Sequence, residues 1–391
     1  MGKDINFVVI SGFTFSDNNR GTSALSYGAV TFLQEKNKIK VGQTIVSFGF
    51  KHSLNLLKSP VIKEEKVDIN GQKWIHKKYI LSFIEQQIIK RLPCLIPLTR
   101  IAKIINKAEY VAAINGGDGF ADIYGPRTFD SRLPESIVAI KMKRPLILLP
   151  QTLGPFSSHK EYMRGISILK KAQKIYIRDL QFVDELRNNE ISYSLAKDLS
   201  CYMMPENCKI KILGSSIGLN VSGLCYYNSY GPLSGRFDYY PKLITEIISA
   251  FQNRGIYIFL IPHSYNFVSP EAYNDDLKAC RDIYAQLKRK DHVTLIDGDF
   301  TPPQLKYIIS KMSFFIGTRM HSNFAAIYTN TPVFGLSYSY KFEGAFRNNN
   351  VPLDHLANIL DMKATDINHI IENILHIYKN SIIINKCQNL D

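Results

Sequence analysis

FFIGTRMHSNFAAIYTNTPVFGLSY, residues 314–338, reads as a strand, a polar turn, a helix and a second strand. Phe314–Ile316 is a short apolar run that stops at Gly317, an apolar helix is predicted from Asn323 to Tyr328, and Val333–Leu336 reads as the next strand. Helix-start amides lack partners inside the helix and favour an anion. Arg319 adds a planar fork suited to phosphate or carboxylate, Met320 separates it from His321, and His321 can donate a hydrogen bond or exchange a proton near neutral pH. Thr318 and Ser322 are placed to cap the helix. The competing reading pairs Arg319 with a buried acid and leaves His321 as a cap.

Working outward, strand-like and helix-like runs alternate almost throughout, the signature of α/β layering with parallel sheets. The first half predicts strands at Ile5–Ile10, Thr44–Phe48, Tyr110–Ile114, Leu146–Leu149 and Lys174–Ile177. Between them, helices are predicted at Thr22–Glu35, Ile80–Lys90, Asp130–Lys143, Glu161–Lys171 and Leu180–Asn188. The second half restarts the pattern, with strands at Ser216–Val221, Tyr257–Ile261 and Val293–Ile296 ahead of the quoted stretch. Helices there are predicted at Tyr240–Arg254, Glu271–Lys288, Pro302–Ser310 and Ile367–Tyr378. Met203–Gly214 lacks a clear period and contains Pro205, so the expected domains are 1–205 and 206–391. The expected architecture is two Rossmann-like domains facing a cleft. In open α/β sheets ligands collect beyond the carboxyl ends of strands, so the polar strand-end turns are the places for chemistry.

The chain of 391 residues is long enough for two cores, and 12% aromatic content excludes a disordered chain. No apolar run approaches the roughly 18–20 residues of a membrane-spanning helix. The N-terminus reads as a first strand rather than a signal peptide, and the six scattered cysteines show no CxxC spacing. A reduced, cytoplasmic setting is expected. The formal charge is +14, and Lys51–Glu109 holds 12 Lys/Arg against 5 Asp/Glu, giving +7. Such a surface attracts phosphates, whether on anionic lipid, a lipid diphosphate or nucleic acid; alternatively it is a solvated helical insertion spanning about 51–107. No nucleic-acid motif accompanies the charge, so a nucleic-acid partner is not expected.

Other strand ends carry further candidates. INGGDGFADIYG, residues 114–125, places Gly117 where backbone can approach a ligand and Asp118 where a base could act, with Asp122 to orient it. It lacks GxGxxG and any Walker lysine, and on these residues alone a tight turn with a capping aspartate is the preferred reading. LLPQTLGPF, residues 148–156, offers Gln151 and Thr152 to a hydroxylated ligand. YIRDLQFVDEL, residues 176–186, offers Arg178 as a second cation unless Asp179 braces it. NNRGTSAL, residues 18–25, brings Asn19, Gly21 and Thr22 to the first strand-to-helix turn. His263 follows a strand end and Glu343 follows the last strand.

Taken in order, NRGT (19–22), GGDGFADIYG (116–125), PQTLGPF (150–156), IRD (177–179), PH (262–263) and GTRMHSNFAA (317–326) resemble the polysaccharide pyruvyl transferase family. The set spans nearly the whole chain. It departs at the first turn, where many members carry Gly-Asp and this chain has Gly21–Thr22. The resemblance implies a GT-B-like pair of Rossmann-like domains and transfer of the enolpyruvyl unit of phosphoenolpyruvate to a sugar, giving a pyruvate ketal and phosphate. Phosphoenolpyruvate is then a co-substrate, no cofactor is implied, and no segment has metal-ligand spacing.

The family's Arg-x-His motif falls on Arg319 and His321, with Met320 between them and Arg178 as a second anion ligand. His321 is the expected proton donor or phosphate ligand and Asp118 the expected base on the acceptor. Asn19, Gly117, Asp122, Gln151 and Thr152 are the expected acceptor contacts. Arg319→Ala is expected to abolish turnover with the fold intact. Lys77, Lys78, Lys90 and Arg91 are the expected contacts to an anionic membrane, and the sugar acceptor could be lipid-linked. Two rivals share the scaffold: a GT-B nucleotide-sugar glycosyltransferase and a non-catalytic glycan- or phosphate-binding protein.

Overall fold

The structure is a computed structural model, described over residues 7–52, 60–212, 214–339 and 341–388. Residues 5 and 6 of the first predicted strand, 53–59 of the basic stretch and Leu213 of the predicted junction lie outside the described residues. Two compact units emerge: residues 1–15 with 22–203, and residues 16–21 with 204–391.

The first unit is built on strands β1 (Phe7–Ser11), β2 (Thr44–Lys51), β3 (Val61–Ile69), β4 (Gln72–Ser82), β5 (Val111–Ala113), β6 (Leu146–Gln151), β7 (Lys174–Ile177) and β8 (Ser194–Leu195). They form one sheet in the order β3-β4-β2-β1-β5-β6-β7-β8. Every pairing is parallel except the β3–β4 hairpin. Strands β1, β5 and β6 are buried along their whole length, which is why they read as continuous apolar runs rather than alternating ones.

Helices cover both faces. Arg20–Glu35 packs Ala24, Leu25, Tyr27 and Phe32 on one face, while Arg100–Ile105 and Pro134–Lys141 pack Ile101, Ile105, Val138 and Ala139 on the other. The predicted helix Asp130–Lys143 is two, Pro126–Arg132 and Pro134–Lys141, because Pro134 starts a new helix.

The basic stretch corrects the expectation of a solvated helical insertion. It supplies β3 and β4, and Trp74 on β4 is completely buried. The helix predicted at Ile80–Lys90 begins at Phe83 because β4 runs on through Ser82, which caps it.

The second unit contains β9 (Ile217–Asn220), β10 (Ile258–Leu260), β11 (Val293–Leu295), β12 (Phe314–Gly317), β13 (Val333–Ser337) and β14 (Leu356–Asn358). The sheet order is β11-β10-β9-β12-β13-β14, all parallel. The first strand therefore lies in the middle and the chain reverses direction across the sheet between β9 and β12. That reversal opens a crevice at the carboxyl ends of these two strands. The register pairs Asn220 with Gly317 at that end. Phe314, Ile316, Leu219 and Leu260 fill one core beneath it with Ile244, Ile248 and Phe251 of the helix Tyr240–Gln252. No helix among the described residues is long and apolar enough to cross a membrane.

Candidate functional site

Asn220, the last residue of β9, organises the crevice. Its Oδ1 accepts the Arg319 N–H at 2.8 Å and the Thr318 N–H at 3.3 Å, while Nδ2 donates to the Ile261 carbonyl at 2.9 Å. One buried amide thus ties together the ends of β9, β10 and β12. Thr318 donates its hydroxyl to the Asn220 carbonyl, so it takes the Tyr240 hydroxyl proton, with the two oxygens 2.8 Å apart. The helix starts at Met320, three residues earlier than predicted, with Arg319 at its N-cap and no side-chain cap bond. Ser322 donates instead to the Arg319 carbonyl at 2.7 Å. The N–H groups of Met320 and His321 thereby occupy the first turn, where the helix offers no acceptor.

Arg319 does not present an open fork. Its Nη2 donates to Asp276 Oδ1 at 2.7 Å and to Asn274 Oδ1 at 2.7 Å, and its Nε lies 3.3 Å from Asp276 Oδ2. Asp276 is fully buried and also accepts N–H bonds from Gly223, His263 and Ser264. Burial works to lower the Arg319 pKa, but Asp276 and then Tyr338 more than reverse it, so the guanidinium is held charged. The reading that paired Arg319 with a buried acid is the one the geometry realises. The partner, Asp276, was missed because its only sequence signal is an Asp-Asp dipeptide opening a helix 43 residues upstream.

His321 lies one turn into this site, edge-on to Phe324 with ring centroids 5.8 Å apart. A Cβ on Gly21 would come within 2.5 Å of His321 Nδ1, so glycine at 21 is what lets the 16–21 loop lie against the imidazole. That loop is stitched to this unit by backbone. Arg20 N–H donates to the His263 carbonyl at 3.1 Å, and Tyr265 N–H to the Asn18 carbonyl at 2.9 Å. Arg20 itself, quoted only as part of NRGT, bonds Asp299 at 2.7 Å and the Phe300 carbonyl at 3.0 Å, and stacks 4.4 Å over the Tyr265 ring. His263 is buried; desolvation, then the charges of His321, Arg319 and Arg20, push its pKa well below the ordinary imidazole value, so it is neutral.

Several expected contacts are corrected. Asn19 sits with the second unit, exposed, its Oδ1 spent on the Gly21 N–H at 3.0 Å. Met320 packs into the apolar cluster around Phe315 and Ala325 rather than toward a ligand. Glu343 is exposed in the first turn of the helix Lys341–Arg347.

In the first unit the reversal lies between β1 and β5, and the GGD turn follows β5. Gly117 has φ +83°, and a Cβ there would lie 3.0 Å from both Arg178 Nη1 and Leu25 Cδ1. Asp118 keeps 13% of its side chain exposed, accepts the Tyr124 hydroxyl at 2.8 Å and lies 3.9 Å from Arg132.

Its expected neighbours are otherwise engaged. Asp122 accepts the Ser157 N–H and hydroxyl and does not orient Asp118. Gln151 is wholly buried, donating to the Ala113 and Leu149 carbonyls and accepting from Asn115, all at 3.0 Å, so it has nothing left for a ligand. Arg178 is braced by Asp198 at 2.5 Å, not chiefly by Asp179 at 4.0 Å, and its Nε donates to Thr152 at 3.0 Å. Thr152 in turn donates to Asp179. A further group without a sequence signal is Glu135: burial, opposed by bonds from its own backbone and Ser11, raises its pKa to about 7.

Comparison with known proteins matches these strand ends to one family. The model described as polysaccharide pyruvyl transferase matches residues 19–340. The amylovoran biosynthesis protein AmsJ of Erwinia amylovora is 20% identical over 259 residues, covering 62% of this chain and 60% of AmsJ. The chain therefore matches about three fifths of that relative's length.

Among solved structures, UDP-GlcNAc 2-epimerase from Methanocaldococcus jannaschii aligns over 96% of this chain and 92% of its own, with a TM-score of 0.55 at 10% identity. The corresponding enzyme from Neisseria meningitidis aligns over 96% and 93%, with a TM-score of 0.54 at 13% identity. These likenesses establish the two-sheet α/β fold of GT-B type. The family match covers most of the chain, and the chain belongs to the polysaccharide pyruvyl transferase family.

Proposed function

We propose that this protein transfers the enolpyruvyl unit of phosphoenolpyruvate to a sugar of a polysaccharide or its precursor, forming a pyruvate ketal and releasing phosphate. One observation carries the reading, within a chain matched to the family over residues 19–340. The start of the Met320–Ile327 helix, His321 and the Gly21 loop meet at the carboxyl-end switch point of the second sheet. The donor phosphate sits against the first-turn amides, where backbone N–H groups and the helix dipole favour an anion. Arg319 keeps 12% of its side chain exposed, and Asp276 fixes the guanidinium's orientation. It therefore acts through its remaining edge and as a rigid floor for the turn.

His321 delivers a proton to the methylene carbon, leaving an oxocarbenium-like centre at the adjacent carbon. One sugar hydroxyl adds to that carbon and gives up its proton to a base. A second hydroxyl then adds as the carbon–oxygen bond to phosphate breaks, closing the ketal and returning its proton to the His321 imidazole. Asp118 is the proposed base, its carboxylate held by Tyr124. Neutral His263 supports the Arg319 turn through the bond its backbone N–H gives to Asp276.

Peripheral contact with anionic membrane is proposed through Arg91, with the exposed Leu92, Leu95 and Leu98 following it in sequence; Lys78 is half-buried on β4, its charge felt by the buried Glu135. Lys77 pairs with Glu64, and Lys90 pairs with Asp130.

The test is phosphate release from phosphoenolpyruvate against a panel of glycan acceptors, with mass detection of the ketal. The expected result is phosphate and ketal in equal amounts with one acceptor class. Release of a nucleoside diphosphate from a nucleotide sugar, with phosphoenolpyruvate untouched, would overturn the reading in favour of a glycosyltransferase.

A further inference from the structure

A pocket of about 510 Å³ in the first unit is lined by His52, just past the carboxyl end of β2, and by side chains of four helices. His52 follows β2, and Gln86, Lys90 and Arg91 belong to the helix that follows β4. Opposite them, Arg127 and Asp130 lie on the helix Pro126–Arg132, and Arg164 on the helix His159–Leu169. This volume is in the range of small-ligand sites.

Its charge is lopsided. Lys90, Arg91, Arg127 and Arg164 supply four positive charges against Asp130 in the lining and Glu161 beside it, which pairs with Arg164 at 3.4 Å, leaving two. Lys90 and Arg164 both pair with Asp130. Arg91 and Arg127 are exposed and make no ion pair among the described residues. Burial would raise the Asp130 pKa, but the bonds from Lys90 and Arg164 outweigh it and hold the carboxyl below its ordinary value. Asp130 thus stays ionised and fixes two of the cations in place, while the other two remain available. A single carboxylate ligand would leave half of this excess uncompensated, whereas the two charges of a diphosphate diester balance it. The two available guanidinium forks, of Arg91 and Arg127, are donors that grip phosphate oxygens.

We propose that the Lys90–Arg91–Arg127–Arg164 pocket of the first unit binds the diphosphate group of a phosphate-bearing ligand. It contains none of the residues of the His321 site. That the ligand is the sugar acceptor, carried through its own diphosphate, rests on the transferase reading above. The pocket's affinity for diphosphate does not. Leu92, Leu95 and Leu98 stand exposed immediately beyond Arg91, so the diphosphate could belong to a lipid or to a soluble nucleotide or sugar.

The test titrates inorganic pyrophosphate by calorimetry into the wild type, the double variant Arg91→Gln/Arg127→Gln, and His321→Ala. Arg91 and Arg127 are exposed, so the double variant is expected to fold, which circular dichroism and the melting temperature verify. The expected result is a tenfold or greater loss of affinity in the double variant and none in His321→Ala. Flotation with phosphatidylcholine vesicles carrying a polyprenyl diphosphate, set against the same vesicles without it, identifies the source. A parallel loss in the double variant assigns a lipid diphosphate, and loss of pyrophosphate affinity alone assigns a soluble one. Pyrophosphate affinity that survives in the double variant, or is absent from the wild type, would overturn the proposal. Phosphate release from phosphoenolpyruvate is measured separately, so failure of this pocket and failure of the transferase reading are distinguishable.

Discussion

The Arg319 guanidinium is held by Asp276, Nη2 to Oδ1 at 2.7 Å, and that carboxylate has no exposed surface. The turn that was to grip an anion is therefore itself built on a buried ion pair. Removing one partner of such a pair leaves an uncompensated charge and costs about 3–5 kcal/mol. Asp276→Asn and Arg319→Ala should each lower the unfolding free energy from urea titration by that order, moving the midpoint down with it. Arg319→Ala is thus not expected to leave the fold intact, which revises the expectation from sequence. An unchanged midpoint in both variants would remove the pair from the framework of the site.

Gly21→Ala places a methyl group where His321 Nδ1, Cγ and Cβ all lie within 2.8 Å. The ring must move, since its own Cβ is among the atoms met. Turnover with phosphoenolpyruvate should fall tenfold or more, with a comparatively small change in melting temperature. Full activity would mean that the imidazole's position against the loop is immaterial.

Gln151→Leu strips three hydrogen bonds from a site without solvent, leaving the Ala113 and Leu149 carbonyls and the Asn115 amide unpaired. A buried group left unsatisfied costs about 1–3 kcal/mol. Thermal unfolding should show the loss, while KM for the acceptor stays at its wild-type value. A raised KM with unchanged stability would restore Gln151 to the binding site.

Glu135 gives stability a pH dependence. Its pKa is about 7 in the folded protein against an ordinary 4.5, because burial penalises the charged form. Below about 4.5 both states are protonated and its contribution is intact. Between that point and about 7 the unfolded state ionises while the folded state keeps its proton, so stability falls as pH rises. The loss levels off above 7, on the order of 3 kcal/mol. Glu135→Gln should flatten this part of the profile and be the more stable form at pH 8. Parallel profiles for variant and wild type would exclude the effect.

What could be read from sequence follows from burial. Strands such as Phe7–Ser11 and Phe314–Gly317 are buried throughout and must be apolar. They stand out against the polar turns that end them, which places the switch points within a residue or two. The β3–β4 hairpin did not stand out, because β3 lies at the sheet edge with most of its residues exposed and reads as charged.

Side-chain partnerships were the least legible. Gln151 and Asn115 are 36 residues apart, and Arg319 and Asp276 are 43 apart. No local period couples such positions, so a polar residue at a strand end looks alike whether it awaits a ligand or pins the loop. The pyrophosphate pocket was foreshadowed only as excess charge in 51–109, since its other wall, Arg127 and Arg164, arrives from distant helices.

The central claim is that phosphoenolpyruvate occupies the start of the Met320–Ile327 helix beside His321. Calorimetric titration of phosphoenolpyruvate into the wild type and His321→Ala tests it directly. The account predicts saturable binding by the wild type and at least a tenfold weaker Kd in the variant, whose melting temperature stays close to wild type. Equal affinity in the two proteins, or no binding by the wild type, would contradict it.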